Sequence, residues 1–435
     1  MIVTLLVFAG SILLLIGFHE AGHFFAAKAL GVYVIEFAIG FGPKLASVKG
    51  RETRYTLRAV PFGGYVRMAG EDRRETDREI PPDRCLYGKP PWVRAVISLA
   101  GPLVNLFLAF VLMVAVIWSV QLPVFQVAKV ISESPAAEAF ELGDRILAIE
   151  GDPIYLMDQI TNAIQRSEGE PLSVEIRRAG SEEAQIVTLV PEYEEDAGRF
   201  MIGAYFASAA RTSEVRGIDP GARLAGSDLR PGDRIIAVEG TPTETYVDLV
   251  LALEEDLPAA SLSATVRRGD EVLTLSLAAE DASAEELLEG VEFADFGLEA
   301  RRPGFVSGLA LGSGQFALYV TLLGDLVGGI ITGRVAAGEA IRGPVGVAEL
   351  LGESVRVGAE YFFQVLAFLS LNFGLLNLIP FPGLDGSRVV FVLYEAIRGR
   401  AIPVEREGLI HAIGFLILIG LMVLITFKDL VALFR

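Results

Sequence analysis

Four uninterrupted apolar stretches constrain this 435-residue chain more than any other feature of its sequence. Each has the length of about 20 residues that an α-helix needs to cross the hydrocarbon core of a bilayer. They cover residues 2–27, 95–120, 361–383 and 408–427. The only charged residue within them is Glu20, in the first stretch. The sequence therefore predicts a polytopic α-helical membrane protein with four transmembrane helices.

Charge is distributed unevenly along the chain. The formal net charge is −18, yet residues 121–300 alone hold 36 Asp and Glu against 13 Lys and Arg, which argues against nucleic-acid binding. Residues 28–94 have the opposite balance, with 13 basic against 8 acidic residues. By the positive-inside tendency, this loop faces the cytoplasm and the acidic region lies on the extracytoplasmic side. The single cysteine, Cys85, excludes an intrachain disulfide.

A tandem repeat occupies the acidic region. Residues 143–154 and 232–243 are identical at eight of twelve positions. In each copy a helix-like stretch and a pair of strands follow. The pattern resembles the circularly permuted bacterial PDZ domain, over 127–191 in the first copy and 213–279 in the second. This resemblance implies that peptide C-termini bind as an added strand.

Two alternatives stay open for these copies. They either bind peptides or act as spacers and size filters that bind nothing. The first copy lacks four residues before Gly143 that the second copy has before Gly232. A peptide groove is therefore less expected in the first copy than in the second.

Two of the three histidines in the chain, His19 and His23, lie four residues apart in the first apolar stretch, with Glu20 beside them. On a helix, this spacing places both imidazoles on one face, within reach of one metal ion. Ionisable groups at membrane depth are energetically unfavourable and usually functional. The alternative is that both histidines join helices while Glu20 reaches the inner headgroups. The third histidine, His411, stands alone and is interpreted as a packing or interfacial residue.

A catalytic zinc usually takes three protein ligands and leaves a position for water, so this motif needs a third ligand. Asp385 is the best candidate. It follows the third stretch in a segment where Pro380 and Pro382 forbid a regular helix and free the backbone to direct a side chain inward. Alternatively, Asp385 merely ends the helix at the interface.

Together these motifs resemble a known family. His-Glu-x-x-His in the first stretch, with Asn-x-x-Pro-x-Pro-x-Leu-Asp-Gly in the third, is similar to the site-2 protease family of intramembrane metalloproteases. Three further motifs and the PDZ-like copies are similar to the branch of the regulator of sigma-E protease; the motifs are Gly-Phe-Gly-Pro at 40–43, Pro-Phe-Gly-Gly-Tyr-Val-Arg at 61–67 and Gly-Pro-Leu-Val-Asn at 101–105.

The resemblance implies a site and a cofactor. It makes zinc the metal, Glu20 the general base, and a membrane-dipping β-hairpin over residues 33–68 the partner of an unwound substrate strand. Asn372 and Asn377 are candidates for hydrogen bonds to that strand, although intramembrane asparagines also join helices. For Asn105, helix packing is the first interpretation.

Residues 303–324 are uncharged and long enough to be a fifth span. If they crossed the membrane, Asp385 would lie on the opposite side from His19 and His23. We therefore predict a helix along the outer surface here.

The expected fold is thus a four-span helical membrane protein with a membrane-associated β-hairpin and two tandem extracytoplasmic PDZ-like α/β domains. The predicted segments are transmembrane helix 1 (1–27), a cytoplasmic-side loop with the hairpin (28–94), transmembrane helix 2 (95–120), PDZ-like domains (121–205 and 206–282), linker and surface helices (283–360), transmembrane helix 3 (361–383), a cytoplasmic loop (384–407) and transmembrane helix 4 (408–427).

The predicted function is zinc-dependent cleavage of single-span membrane proteins, such as anti-sigma factors or remnant signal peptides, in a bacterial cytoplasmic membrane. The predicted site opens toward the cytoplasm. One alternative is a non-catalytic scaffold that holds partners through the PDZ-like copies. Another is a membrane-anchored zinc peptidase that acts on soluble proteins. The sequence leaves the oligomeric state open.

Overall fold

The computed structural model describes residues 2–71, 80–280, 282–335, 343–400 and 402–433. Parts of the predicted loop 28–94 and of the predicted linker 283–360 lie outside these residues. The chain divides into two compact units. One contains residues 1–120 and 304–435, and the other contains residues 121–303. Each unit is described by itself.

The α-helices of the described residues are α1 (Ile2–Ala29), α2 (Pro91–Ser119), α3 (Pro135–Ala139), α4 (Met157–Arg166), α5 (Tyr246–Asp256), α6 (Ala284–Leu288), α7 (Phe305–Ile331), α8 (Pro344–Val357), α9 (Ala359–Leu378), α10 (Asp385–Arg398) and α11 (Val404–Leu433). Short 3₁₀ turns cover Pro82–Arg84, Leu86–Gly88 and Arg223–Gly226.

The strands are β1 (Val34–Lys49), β2 (Arg54–Met68), β3 (Leu122–Pro123), β4 (Gln126–Val130), β5 (Arg145–Ile149), β6 (Asp152–Pro153), β7 (Leu172–Arg177), β8 (Ala184–Leu189), β9 (Glu192–Glu194), β10 (Arg199–Met201), β11 (Ala204–Ala207), β12 (Arg211–Ile218), β13 (Arg234–Val238), β14 (Thr241–Pro242), β15 (Ser261–Arg268), β16 (Glu271–Ala278), β17 (Val291–Asp295) and β18 (Ala300–Arg301).

Five helices of the described residues are long and apolar enough to cross a membrane: α1, α2, α7, α9 and α11. Four of them cover the four apolar stretches singled out in the sequence. The fifth, α7, covers the segment for which the sequence predicts a surface helix. By length and composition alone, α7 is a candidate span as well.

Helix α7 lies along α2 and runs antiparallel to it. The Trp118 and Phe305 rings stack with their centroids 5.0 Å apart, and further along the pair Phe110 meets Phe316 at 5.8 Å. Helix α9 also runs antiparallel to α2, because Ser370 donates to the Asn105 carbonyl while Gly374, one turn later, lies against Pro102. Helices α7 and α9 therefore run in the same direction. The end of α7 and the start of α9 lie toward opposite ends of α2, and the chain has to run back between them.

Small residues let the helices of this unit approach closely. A Cβ on Gly22 would lie 2.5 Å from the carbonyl oxygen of Ala100, and one on Gly374 would lie 2.9 Å from that of Pro102. Close backbone approach of this kind is a common way to pack helices within a bilayer. Asn105 is fully buried where α2 meets α9, in agreement with the helix-packing interpretation.

Strands β1 and β2 form more than the simple hairpin that the sequence predicts. Residues 34–39 pair on one side with 64–68 and on the other side with 54–57, while 44–49 pair with 54–58. Both long strands therefore fold back and make a small antiparallel sheet of four segments. Gly40 and Gly63 have φ values of +85° and +103°, which non-glycine residues rarely adopt, and they lie where the segments turn.

The second unit contains two sheets with the same strand order. The first sheet runs β11-β4-β5-β7-β8, with β6 beside β5, and the second runs β17-β12-β13-β15-β16, with β14 beside β13. This order repeats because the two copies have the same succession of turns and apolar strands. The second sheet extends to Asp295, beyond the predicted boundary at 282, since the edge strand β17 pairs with β12.

Each copy buries the aspartate of its Gly-Asp-Arg-Ile turn against an arginine. In the second copy, Asp233 accepts two hydrogen bonds from Arg268 at 2.7 Å, and this arginine lowers the pKa of the aspartate. In the first copy, burial raises the pKa of Asp144 even though Arg178 pairs with it. The same turn is therefore held by a charge pair in both copies.

Candidate active site

Three side chains predicted to bind metal lie together in the structure. The distance between Nε2 of His19 and Oδ2 of Asp385 is 3.0 Å, and Nε2 of His23 lies 3.3 Å from the same oxygen. The two Nε2 atoms are 3.3 Å apart. Both histidines are buried, with 6% and 8% of their surface exposed. Among the described residues, this is the group of His, Cys, Asp and Glu side chains that could hold a metal ion.

The third predicted ligand lies in the segment between α9 and α10. Pro380 and Pro382 interrupt the chain after α9, and Asp385 is the first residue of α10. A Cβ on Gly386 would overlap the carbonyl oxygen of Leu378. Helix α10 therefore begins directly against the end of α9, and this tight turn directs Asp385 toward α1.

The orientation of His23 is fixed by α2. Its Nδ1 donates a hydrogen bond to the carbonyl oxygen of Ile97 at 2.8 Å. In the neutral ring, this bond places the proton on Nδ1 and leaves Nε2 able to bind a metal. A Cβ on Gly101 would overlap that same Nε2. Only glycine at this position of α2 leaves room for the His23 ring. The sequence pattern around residue 101 pointed to the family resemblance but not to this contact.

His19 is held differently. Among the described residues, its Nδ1 has no hydrogen-bond partner, and the ring instead meets Phe373 of α9 edge to face, with centroids 5.2 Å apart. The centroid of the His23 ring lies 4.8 Å from that of His19. Aromatic packing therefore orients this predicted ligand, and Phe373 also lines the cavity at the site.

The donor set fits zinc. In a tetrahedral site with bonds of about 2.0–2.1 Å to nitrogen and oxygen, neighbouring ligand atoms are separated by about 3.3 Å. The three observed separations agree with this value. Two imidazoles and a carboxylate are nitrogen and oxygen ligands of the kind that catalytic zinc takes.

A cavity of about 340 Å³ surrounds the three ligand atoms. Glu20 lies in its wall, adjacent in sequence to His19 and on the same helix. A Cβ on Gly64 of β2 would lie 3.1 Å from Cγ of Glu20, so the strand passes directly beside this carboxylate. The cavity thus brings together the predicted metal-ligand set, a carboxylate and a strand.

The strand beside Glu20 is an edge of the small sheet. Residues 64–68 pair with 34–39 on one side, and Gly63, Gly64, Tyr65 and Val66 line the cavity. An edge strand presents backbone N–H and C=O groups that can pair with another extended chain. The arrangement places such an edge within reach of the ligand set.

The two candidate asparagines differ in position. Asn377 lines the cavity, and its amide donates to the Phe373 carbonyl oxygen at 2.9 Å. Asn372 also donates within α9, to the carbonyl oxygen of Phe368 at 2.9 Å, but the cavity lining does not include it among the described residues. Asn377 is therefore the better placed of the two to meet a substrate.

One charged pair of the cavity was missed by the sequence analysis. Arg388 lies one turn after Asp385 on α10 and donates to Oε1 of Glu71 at 2.8 Å. Both residues line the cavity. Residues three apart on a helix share a face, so the position of Arg388 after Asp385 was the available signal. The pair joins the end of the small sheet to the helix that carries the third ligand.

A second groove lies in the first copy of the other unit. It has a volume of about 320 Å³ between α4 and the chain from Arg199 to Phe206, which contains the edge strand β11. Ile160 and Ile164 form its floor, and Thr161 stands exposed on its rim. In the second copy, Leu287 and Leu288 of α6, just before edge strand β17, are buried in the core with α5. This groove therefore lies in the first copy, where the sequence predicts a peptide groove less strongly than in the second copy.

The chain is similar to several known proteins. The model of peptidase family M50 matches residues 7–421. A protein of Thermotoga maritima is 29% identical, over 95% of this chain and 96% of its own length. The regulator of sigma-W protease RasP of Bacillus subtilis is 27% identical over 97% of this chain and 96% of its own length. The zinc metalloprotease RasP of Shouchella clausii is 29% identical over 99% of both.

Among solved structures, the PDZ domain of an SdrC-like protein from Listeria monocytogenes matches 20% of this chain and 93% of its own length. The sequence identity is 19% and the TM-score is 0.19.

Proposed function

Because the chain belongs to peptidase family M50 and is a zinc metalloprotease, we propose that it is an intramembrane endopeptidase that cuts single-span membrane proteins. The observation that carries this proposal is the position of the ligand set. His19 and His23 lie on a helix that is long and apolar enough to span a membrane, and the helix that precedes Asp385 has the same property. A peptide bond that reaches this cavity lies at membrane depth.

The chemistry divides between the metal and Glu20. A zinc ion held by His19, His23 and Asp385 would activate water and polarise the peptide carbonyl. Glu20 accepts the proton of the attacking water and then gives it to the amine that leaves. The peptide bond is replaced by a new carboxyl terminus and a new amino terminus, so the reaction consumes one water and needs no other reactant.

The edge of the small sheet would present the substrate. A helical span hides its peptide bonds in internal hydrogen bonds, so it has to unwind before it is cut. Pairing of the unwound segment with residues 64–68 would replace those lost hydrogen bonds beside Glu20. In this arrangement the side-chain oxygen of Asn377 is available to receive a backbone N–H of the substrate.

The proposed topology places the copies of the second unit on the extracytoplasmic side of a bacterial cytoplasmic membrane, and the site opens toward the cytoplasm. The basic loop after α1 and the acidic composition of residues 121–300 support this orientation. If α1, α2, α9 and α11 are the four complete spans, His19, His23 and Asp385 lie toward the same side of the membrane and can form one site. In this scheme α7 enters the apolar layer beside α2 but is not a complete span, and the chain returns to the extracytoplasmic side before α9.

The test is cleavage of a single-span reporter without an external domain by the purified protein in detergent. We expect a cut inside the span, located by mass spectrometry. A zinc chelator should stop the cleavage and added zinc should restore it. A matched reporter with a folded soluble domain and no span serves as control. Cleavage of the soluble control alone would favour a membrane-anchored peptidase for soluble proteins over the proposed function.

The anti-sigma-factor type of substrate is part of this proposal. It is supported by the similarity to the regulator of sigma-W protease RasP, whose name places it in sigma-factor regulation. Remnant signal peptides have the same physical form, a single apolar helix with little attached to it. In both cases we propose that the copies of the second unit screen substrates by their external part.

The first-copy groove supports a peptide-binding role in this screening. We expect an apolar peptide with a free C-terminus to add as a strand beside β11 and to place side chains against Ile160 and Ile164. Thr161→Arg should weaken binding of a fluorescent apolar C-terminal peptide to the full protein by at least about tenfold, since it puts a large charge on the groove rim.

The adjacent residue provides the control for this prediction. Asn162 is also exposed on α4, but it lines a different depression of the same copy. Asn162→Arg adds the same charge and should leave the dissociation constant unchanged within about twofold. Equal binding by wild type and Thr161→Arg would favour a filter that works by size alone.

A further inference from the structure

The last helix of the chain reaches the turn that presents the third ligand. Nδ1 of His411 in α11 accepts a hydrogen bond from the backbone N–H of Gly383 at 3.2 Å. Gly383 stands two residues before Asp385 and lines the metal cavity. From this contact we propose that His411 is a positioning residue, which holds the turn so that Asp385 completes the metal site. The inference deepens the proposed function, because it concerns the same site.

Few backbone N–H groups are available within the turn to stabilise its conformation. Pro380 and Pro382 have no backbone N–H, and Gly383 has a φ of +100°, in the left-handed region that favours glycine. Inside the turn, the N–H of Leu384 donates to the carbonyl oxygen of Phe381 at 3.0 Å. The N–H of Gly383 points outward, and it is this group that His411 binds. The ring therefore contacts the turn at its most permissive residue.

A second contact from α11 holds the same turn. A Cβ on Gly414 would overlap the carbonyl oxygen of Pro382. His411 and Gly414 are three residues apart, so they share a face of α11. On this face, Gly414 leaves room for the backbone of the turn. His411, three residues earlier, provides the hydrogen-bond acceptor. The two contacts hold the C=O and the N–H of a single peptide group, the one that joins Pro382 to Gly383.

The ring of His411 also packs against a neighbouring aromatic side chain. Phe391 of α10 meets it edge to face, with centroids 5.3 Å apart and planes at 90°. Since Nδ1 is the acceptor, the neutral ring carries its proton on Nε2. A packing residue would need only the ring contact with Phe391. The hydrogen bond to Gly383 adds a directional role that the interpretation of His411 as a packing or interfacial residue did not include.

The expected consequence is a loss of metal affinity. Residues that orient metal ligands typically change affinity about 10–100-fold when they are replaced. His411→Leu keeps an apolar side chain of similar bulk but removes the acceptor, and we expect zinc to bind at least about tenfold more weakly. His411→Asn places an oxygen close to the position of Nδ1, and we expect it to retain zinc affinity within about threefold of wild type.

The experiment is competition between the full protein in detergent and a chromophoric zinc chelator, with Asp385→Asn as the reference for a lost ligand. Phe391→Leu is the matched packing control, since it removes the ring contact and leaves the hydrogen bond. Weaker zinc binding in His411→Leu, with recovery in His411→Asn and little change in Phe391→Leu, is the expected result. Equal losses in His411→Leu and Phe391→Leu, or no loss in His411→Leu, would overturn the inference.

This readout separates the inference from the proposed function. Zinc affinity is measured without any substrate, so a wild-type protein that holds zinc but does not cut a membrane span would contradict the proposed function only. Conversely, His411→Leu with unchanged zinc affinity would leave the proposed function intact. Thermal unfolding of each variant in detergent checks that all four proteins are folded.

Discussion

Replacing Glu20 with glutamine is expected to abolish cleavage of a membrane-span reporter while zinc remains bound. Glutamine has nearly the same size as glutamate, but its amide cannot accept the proton of the attacking water. General acid–base groups contribute about 10²- to 10⁴-fold to catalysis, and in the proposed mechanism one carboxylate serves both proton transfers, so we expect a loss of at least about 10³-fold. The three ligand atoms belong to other residues, which is why metal binding should survive.

The measurement is the initial rate of cleavage together with zinc content by atomic absorption. Glu71→Gln provides the matched control, because it is the same substitution in a second carboxylate that lines the same cavity. Glu71 pairs with Arg388 and not with the water-activating group, so its loss should reduce the rate far less than that of Glu20. Comparable rates for Glu20→Gln and wild type would remove Glu20 from the mechanism.

The parts of this site that the sequence predicts are those that local spacing determines. His19 and His23 share a helix face because they stand four residues apart, and no contact from elsewhere in the chain is needed to know it. Asp385 could be predicted for a similar reason, because two prolines mark the place where the helix of the third apolar stretch ends. The apolar lengths likewise predicted the positions of α1, α2, α9 and α11.

The parts that the sequence did not predict depend on contacts between distant residues. The carbonyl of Ile97 and the backbone at Gly101 orient His23 from a helix more than 70 residues away, and no local pattern shows which face of α2 meets α1. The double pairing of residues 34–39 was missed because alternation predicts strands but not the fold-back that gives one segment two partners.

The same limit applies to α7. Its composition fits both a surface helix and a span, and only its contacts with α2 show that it lies along that helix. The role of His411 was hidden for a related reason. A lone histidine in an apolar stretch gives no signal in the sequence, and its function depends on the Gly383 N–H that the fold brings to it.

Gly101→Ala is the second change with a large expected effect, and it tests the packing that holds His23. The added methyl carbon would overlap Nε2 of His23, which is the atom proposed to bind the metal. Helix α2 cannot move away without opening the similarly close contact at Gly22, so the imidazole has to leave its position. We expect zinc affinity and reporter cleavage to fall together, by roughly 100-fold.

A glycine with free space around it is the control for this prediction. A Cβ on Gly17, two residues before His19 on α1, would have no atom of a neighbouring element within 4 Å among the described residues. Gly17→Ala makes the same chemical change, slightly favours the helix, and should leave zinc binding and cleavage unaltered. Normal zinc affinity in Gly101→Ala would mean that the backbone of α2 yields to the methyl group, and that His23 does not depend on close contact with α2. If Gly101→Ala loses zinc affinity and Gly17→Ala does not, the metal site depends on the absence of a side chain at position 101 of α2.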